Sequence, residues 1–384
     1  FVPVDGNLEL KVRQRLGGIS GNYRGAPNWD QRVAITRYDA TNDNRDQGID
    51  TNSSDGDKTH VGYQNDFYFD SRHSEQRVTL AYEYAVEGFR QRGAVSAFGN
   101  PNQNQHYDTN SAIAEYASDW RWASLTVSAR HDDNSEFDDA NSYRAALRVP
   151  VGTYGTTLFF AAGTGRKDPT FTERFGFTPD TFIGNPRLRP EESQTLSVTL
   201  EQAVTGAAHV RLALFHDELR DEIDGFVFDP ALGGFTAAND DGHSHRDGAE
   251  LVVQAQPNPQ TDLQFDLTYL HATQPGAGGN NDELRRPRYS GRFIANYRTF
   301  AERLQLQFGI AYVGSHDDSD FGVFPARRVK LDAYALVHCT ARYRLSDRFE
   351  LNGRIENAAD EHYQDVFGFA TPGRRGYLGV TMTL

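Results

Sequence analysis

Residues 304–312 read Leu304-Gln305-Leu306-Gln307-Phe308-Gly309-Ile310-Ala311-Tyr312, with a large apolar side chain at every second position. Successive side chains of a β-strand point to opposite faces, so this stretch predicts a strand with one apolar face and one polar or small face. The same alternation recurs around residues 210–214, 263–269 and 349–355, whereas a helical period is nowhere sustained. The sequence therefore predicts an all-β fold.

The lengths of the predicted strands and of their connections indicate a membrane setting. The strands run for about 9 to 12 residues, which suits a tilted crossing of the hydrocarbon layer and exceeds the usual length in soluble sheets. We count about 17 strands, joined alternately by short turns and by long polar segments, as in outer-membrane proteins. This alternation predicts an antiparallel transmembrane β-barrel. The long segments cover roughly residues 38–57, 87–106, 164–190, 217–246, 272–288 and 314–328.

The composition excludes several other classes of protein. The 384 residues are 38% hydrophobic with a mean hydropathy of -0.65, and no run approaches the roughly 18 apolar residues of a spanning helix. The net charge of -14 argues against a nucleic-acid partner. A single cysteine, Cys339, excludes an intrachain disulfide. The chain has no nucleophile elbow, metalloprotease motif or phosphate loop, so we expect no enzyme.

Three segments resemble the TonB-dependent receptor family, and within it the cobalamin receptor subgroup. They are the stretch from Gly184 to Ser193, the triplet Gly248-Ala249-Glu250 and the stretch from Ile355 to Tyr363. Each motif is short, but the three occur in the family's order along the chain. The positions that carry the resemblance are Asn185, Pro186, Leu188, Pro190, Glu191, Gly248, Glu250, Asn357, Asp360 and Tyr363.

The resemblance implies a barrel of about 22 strands with a plug domain inside it. We therefore expect residues 1–384 to form one receptor-like barrel domain that lacks the plug and the first strands. The implied surroundings are the lipid and lipopolysaccharide of the bacterial outer membrane. The implied partners are the TonB complex, which acts through the plug, and a small ligand, with the receptor itself a monomer.

This resemblance makes TonB-energised uptake of a scarce chelate or vitamin the leading function, with cobalamin or a ferric siderophore as the ligand. Two alternatives stay open at this point. One is a passive, porin-like diffusion channel, and the other is a soluble β-rich binding or adhesion module.

Four aromatic residues of the segment 164–190 are the candidate ligand contacts. Phe171, Phe175, Phe177 and Phe182 lie on a long polar segment, and exposed aromatic side chains in such a loop can mark a binding face. The alternative is that these rings pack against one another or belong to an aromatic girdle at the membrane interface.

Two polar groups could bind metal ions. Asp46, Asp50 and Asp55 lie in an acidic segment that could hold Ca²⁺ through carboxylate oxygens. His243 and His245 are two residues apart, so on a strand they share one face. For both groups the alternative is an ordinary solvated loop, and we expect no other cofactor.

Overall fold

A computed structural model of the chain describes residues 7–152, 155–178, 181–276 and 279–383. The two ends of the predicted domain 1–384, residues 1–6 and Leu384, therefore lie outside the described residues. Within the described ranges, no helix is long and apolar enough to span a membrane. The helix α1 (Phe171–Phe175) has five residues, and almost all other regular structure is β-strand.

The strands are, in chain order, β1 (Leu8–Ala26), β2 (Trp29–Asp46), β3 (Ile49–Asp70), β4 (Ser74–Gly93), β5 (Gln103–Trp120), β6 (Ala123–Asn134), β7 (Ala140–Val151), β8 (Thr156–Lys167), β9 (Phe177–Thr178), β10 (Phe182–Ile183), β11 (Glu191–Thr205), β12 (Ala208–Arg220), β13 (Ile223–Asp229), β14 (Gly234–Asn239), β15 (His243–Asn258), β16 (Thr261–Gly276), β17 (Gly279–Asp282), β18 (Tyr289–Thr299), β19 (Leu304–Val313), β20 (His316–Asp320), β21 (Arg327–Leu331), β22 (Tyr334–Arg344), β23 (Phe349–Glu356) and β24 (Arg375–Met382). In the described part of the chain, 17 of these strands have eight or more residues. The predicted number of long strands is confirmed.

The chain divides into two compact units. The first comprises Phe1–Leu147, Ala162–Gln194 and Leu219–His243, and the second comprises Arg148–Ala161, Thr195–Glu218 and Ser244–Leu384. Each unit is built on its own run of antiparallel neighbours, and we describe them separately.

In the first unit, strands β1 to β6 pair in sequence order, each antiparallel to the next. Ile35 lies opposite Val61, and Val61 lies opposite Tyr84. Apolar and aromatic side chains thus follow one another across the sheet on a single face. Glu83, one position away from Tyr84, lies opposite Ser111 on the other face. One face is therefore apolar and the other polar, as the alternation predicts.

The first strands are longer than the sequence predicts, and the predicted loop 38–57 is wrong. These residues continue the β2–β3 ladder, which runs from Trp29↔Phe67 to Asp46↔Ile49 around a two-residue turn. The polar side chains there pair across the ladder: Thr41 donates to Asp55 at 3.0 Å and Asn44 to Asn52 at 2.6 Å. A run of polar residues is typical of a loop, but cross-strand pairs of this kind also stabilise a sheet in water.

The second unit repeats this plan with β15, β16, β18, β19, β22, β23 and β24. Phe265 lies opposite Phe293, which lies opposite Ile310, and Leu351 lies opposite Val380. These residues form an apolar band that is largely exposed in the isolated chain. Such a continuous apolar face is stable only against lipid or another apolar surface.

From β4 onward the connections keep the predicted alternation of short and long, whereas β1 to β4 are joined by turns of only two or three residues, at 27–28, 47–48 and 71–73. Turns such as 121–122, 206–207 and 259–260 join successive strands at one end, and the long segments lie at the other. Several long segments contain hairpins of their own: β13 and β14 lie within 217–246, and β20 and β21 lie within 314–333. The segment 272–288 contains the strand β17, which pairs with the end of β16.

Candidate ligand-binding site

Four long segments of the first unit fold together at one end of its strands. We call the described residues of these segments, 94–102, 135–139, 168–178 with 181–190, and 221–240, the outer-loop cluster. The short helix α1 begins with a capping box in which the Thr170 hydroxyl accepts from the Glu173 amide and the Glu173 carboxylate accepts from the Thr170 amide. This arrangement satisfies amides at the helix start that have no partner within the helix. The helix can therefore form although it is only five residues long.

Phe171 joins this helix to the strands below it. Its ring stacks on Tyr107 of β5 at a centroid distance of 4.7 Å and on Phe89 of β4 at 5.7 Å. Phe175 lies 6.4 Å from Phe171, and its backbone carbonyl accepts a hydrogen bond from the Gln103 side chain. Both rings are half-buried.

The backbone of Phe177 is held by hydrogen bonds to a side chain, which takes the place of the backbone of a neighbouring strand. The Gln91 amide donates to the Phe177 carbonyl at 2.7 Å and accepts from the Phe177 amide at 3.1 Å. The phenyl ring packs on Phe98 and over Gly99, where a Cβ would lie only 2.7 Å from the ring. Gly99 therefore leaves room for the buried ring of Phe177.

Phe182 belongs to a small apolar core between the segment 168–190 and the β13–β14 hairpin. It is buried together with Leu188 and Ala237, and its ring stacks on Phe226 at 6.2 Å. All four phenylalanines thus pack within the outer-loop cluster, and Phe177 and Phe182 are buried rather than exposed. Direct contact between these rings and a ligand stays a prediction.

Arg174, which sequence reasoning missed, lies at the centre of the cluster. Its side chain is 6% exposed. The guanidinium pairs with Glu136 at 2.6 Å and lies 4.8 Å from the ring centroids of both Phe137 and Phe175. Cation–π attraction to these rings partly compensates for the hydration that the guanidinium loses on burial. The only hint in the sequence is one arginine among the aromatics of 171–177.

The motif from Asn185 to Glu191 fastens the segment 168–190 to its neighbours. Asn185 donates to the Ala237 carbonyl at 3.0 Å, and the Pro186 carbonyl accepts from Arg174 at 2.9 Å. Glu191 accepts from the Ile223 amide at 2.9 Å and from Lys167 at 3.1 Å. These contacts tie the segment to β8 and β13. In this structure the motif organises the outer-loop cluster.

Below this cluster, the polar face of the first unit carries a network of charges that we call the charged wall. Arg130 lies at its centre, 2.7 Å from Glu83 and 2.8 Å from Asp132, and Asp132 also accepts from Ser111 at 2.5 Å. The wall borders a cavity of about 420 Å³ that reaches Arg166 and Asp168 at the cluster. Opposite charges held on the strands in this way can bind polar groups of a ligand.

The motif from Ile355 to Tyr363 organises a long segment of the second unit. Asn357 and Asp360 have φ values of 47° and 61°, a region that Asn and Asp tolerate better than most residues. The Asn357 side chain bonds both the amide and the carbonyl of Glu361. The hydrogen bond from the Arg374 amide holds the pKa of Asp360 below its ordinary value. Tyr363 packs on Tyr334 at 4.3 Å.

The motif at Gly248 depends on a close approach between neighbouring strands. A Cβ at Gly248 would lie 2.2 Å from the ring of Phe215. Phe215 is on β12, so the absence of a side chain at Gly248 lets this ring lie across β15. Glu250, two residues along on the same face, is exposed.

The two predicted metal-binding groups differ in their surroundings. Asp50 pairs with Arg45 at 2.6 Å and Asp55 with Arg90 at 3.3 Å, whereas Asp46 is exposed at the β2–β3 turn. Arginines therefore balance two of the three carboxylates, and Ca²⁺ binding there stays a prediction. His245 lies close to His216 and Glu218 of β12, with ligand atoms within 4.8 Å of one another. His243 is not in that group.

Long antiparallel strands with one apolar and one polar face, joined by short turns and by long segments that pack together, are typical of membrane-spanning β-barrel proteins of the bacterial outer membrane. The family described as TonB dependent receptor-like, beta-barrel matches residues 5–358. The chain belongs to this family, whose members are receptors and transporters. The resemblance seen in the three sequence motifs is confirmed.

The relatives and solved structures are consistent with this assignment. The vitamin B12 transporter BtuB of Photobacterium profundum is 30% identical over 252 residues, which cover 64% of this chain and 38% of the transporter. BtuB of Vibrio cholerae serotype O1 (strain ATCC 39541 / Classical Ogawa 395 / O395) is 24% identical over 271 residues, or 70% of this chain and 41% of the relative.

The chain thus spans about two fifths of the length of these relatives. Among solved structures, the siderophore receptor PirA from Acinetobacter baumannii aligns with a TM-score of 0.79 at 15% identity. That alignment covers 97% of this chain and 62% of PirA. At this level of identity the likeness concerns the fold.

Proposed function

We propose that this chain is the barrel of an outer-membrane receptor that binds a scarce chelate or vitamin at the cell surface and delivers it inward through TonB. The outer-loop cluster above the charged wall is the observation that carries the proposal. A passive channel gains nothing from a loop segment fastened to three neighbours through Arg174, Asn185 and Glu191, whereas a receptor needs a formed surface for its ligand. We expect no catalysis.

The ligand we favour is a cobalamin, with a ferric siderophore as the second candidate. The identity of 30% to a vitamin B12 transporter supports the first. The fold shared with siderophore receptors supports the second. Both ligands are rich in polar groups, which suits the charged wall because its side chains of both signs line a cavity of about 420 Å³.

Uptake in cells tests this function. Cells that lack the gene should take up less labelled cyanocobalamin, or less of a labelled ferric siderophore, than the parent strain. A protonophore should abolish the difference, because TonB draws on the proton gradient, whereas diffusion through a passive channel should continue. Uptake of neither ligand, or uptake that the protonophore leaves unchanged, would contradict the proposal.

A variant of Arg174 connects the uptake to the outer-loop cluster. Arg174→Met removes the ion pair with Glu136 and the hydrogen bond to the Pro186 carbonyl. Because the Glu136 side chain is 42% exposed, we expect a cost of about 1.5–3 kcal/mol, the usual value for a hydrogen bond to a charged group. We expect the cluster to loosen and uptake at limiting ligand to fall at least tenfold. Arg72→Met, on the exposed turn between β3 and β4, is the control and should not change uptake.

A further inference from the structure

A group of potential metal ligands lies in the second unit. His216 and Glu218 are two residues apart on β12 and therefore share a face, and His245 lies on β15 beside them. One ligand atom from each residue lies within 4.8 Å of the others. The two imidazole rings are nearly parallel, with centroids 6.1 Å apart. We call these three residues the histidine group.

This group lies on the outward face of the sheet, beyond the apolar band. Leu212 and Leu214 precede His216 on the same face of β12 and are exposed. On β15, Leu251 lies opposite Leu267 and Ala249 opposite Tyr269, whose ring packs on Tyr289 at 5.3 Å. These tyrosines mark the membrane interface. His245 lies four residues past Ala249, about 14 Å farther along the strand.

A fourth residue orients one of the histidines. The Nδ1 atom of His216 lies 2.7 Å from Asp247. A carboxylate that binds one ring nitrogen of a histidine fixes its tautomer and leaves the other nitrogen to coordinate metal, an arrangement common in metal sites. His216 is about half exposed, so an ion can reach it from water without passing through the protein.

We propose that His216, Glu218 and His245 bind a divalent transition-metal ion of the zinc class at the outer rim of the membrane, with Asp247 as the residue that positions His216. Two imidazoles and one carboxylate suit such an ion and leave coordination positions open for water or another ligand. This site shares no residue with the charged wall and does not depend on the proposed uptake function.

Zinc titration of the purified protein in detergent, free of any polyhistidine tag, tests the site. Calorimetry should show about one Zn²⁺ bound per chain, and Co²⁺ should give visible absorption bands that Zn²⁺ removes. His216→Ala and His245→Ala should each weaken Zn²⁺ binding at least tenfold. Glu218→Gln, which removes a charged ligand atom, should also weaken it at least tenfold, and Asp247→Asn should weaken it about tenfold, the loss typical of a residue that supports a ligand.

The controls separate this site from other histidines. His73→Ala, on an exposed turn of the first unit, should leave the titration unchanged. A second histidine–carboxylate pair, His271 and Asp282, lies 3.6 Å apart on strands next to the histidine group. Because the proposed site does not include this pair, the double variant His271→Ala/Asp282→Asn should keep wild-type affinity for Zn²⁺. Heat-modifiable gel mobility checks that each variant is folded.

Two results would overturn the proposal. One is the absence of stoichiometric Zn²⁺ binding by the folded wild-type protein. The other is a His216→Ala/His245→Ala variant that is folded and binds Zn²⁺ within twofold of wild type.

Discussion

Several residues of the family motifs are required by close contacts or by an unusual backbone conformation. Gly248 is the clearest case, because its Cβ position is taken by the ring of Phe215. Asn357 and Asp360 act differently, since they combine a left-handed backbone with side-chain hydrogen bonds to it. The sequence shows which positions resemble the family, but the reason for each residue type appears only when a neighbouring strand or segment is in place.

Gly248→Ala should destabilise the second unit. The added methyl group would meet Phe215, and overpacking of this kind costs about 1–3 kcal/mol. We expect a lower midpoint of urea unfolding in lipid vesicles. In the double variant Gly248→Ala/Phe215→Leu, which removes the ring, Gly248→Ala should add little to the cost of Phe215→Leu. Equal costs in both backgrounds would show that the two residues do not interact.

Asp318 should make part of the second unit sensitive to acid. Burial alone would raise the pKa of this carboxyl, but the amides of Phe367 and Ser319 and the Arg285 guanidinium hold it below its ordinary value of 3.8. The carboxylate therefore stabilises the fold fully above about pH 5. That contribution is lost as the pH falls through 3.8 and below.

Hydrogen exchange between about pH 3 and pH 7 measures this effect. The amide of Phe367, which donates to Asp318 at 2.7 Å, should lose protection at the acid end after correction for the intrinsic exchange rate. In Asp318→Asn the protection should be lower at neutral pH and should no longer change between about pH 3 and pH 5. If the protection of the Phe367 amide in Asp318→Asn depends on pH as it does in the wild type, another carboxyl group causes the acid sensitivity.

At the scale of elements, the strands were easier to predict than the segments between them. The alternating runs 210–214, 263–269, 304–312 and 349–355 all lie within single strands, β12, β16, β19 and β23. The prediction for the β2–β3 hairpin was wrong because the outer part of this hairpin is polar on both faces. Apolar and polar residues alternate where one face of a strand contacts lipid. Where the strands continue into water both faces are polar, so the sequence shows no alternation there.

The helix α1 offers a test of an element that the sequence did not predict. Thr170→Ala removes the capping oxygen, and the loss of such a cap costs about 1 kcal/mol. The amides of residues 171–175 should then exchange hydrogen about fivefold faster. Thr170→Ser keeps the hydroxyl and should exchange like the wild type. Equal rates in all three proteins would show that contacts with Tyr107 and Phe89 hold the helix without its cap.

At the scale of the whole molecule, the exposed apolar band determines where the chain resides. Phe308 and Ile355 both lie opposite Cys339 on this band. Because lipid covers the band in the outer membrane, the single cysteine serves as a natural reporter of membrane insertion.

Cysteine labelling in intact cells tests this placement. Cys339 should react with a small apolar maleimide but not with a charged maleimide that stays in water. In the variant Cys339→Ser/Phe321→Cys, the new thiol replaces a side chain that is 67% exposed on the β20–β21 turn, and the charged reagent should label it. Labelling of Cys339 by the charged reagent at a similar rate would place the band in water.

The sequence by itself determined the all-β class, the number of long strands, the apolar and polar faces and, from β4 onward, the alternation of short and long connections. These properties follow from a period of two residues and from local turns, so neighbouring residues are enough to specify them. The tertiary structure alone decided that Arg174 meets Glu136, that Gln91 holds Phe177 and that His245 reaches His216. Those partners are 38, 86 and 29 residues apart, and only the register of the strands and the packing of the outer-loop cluster bring them together.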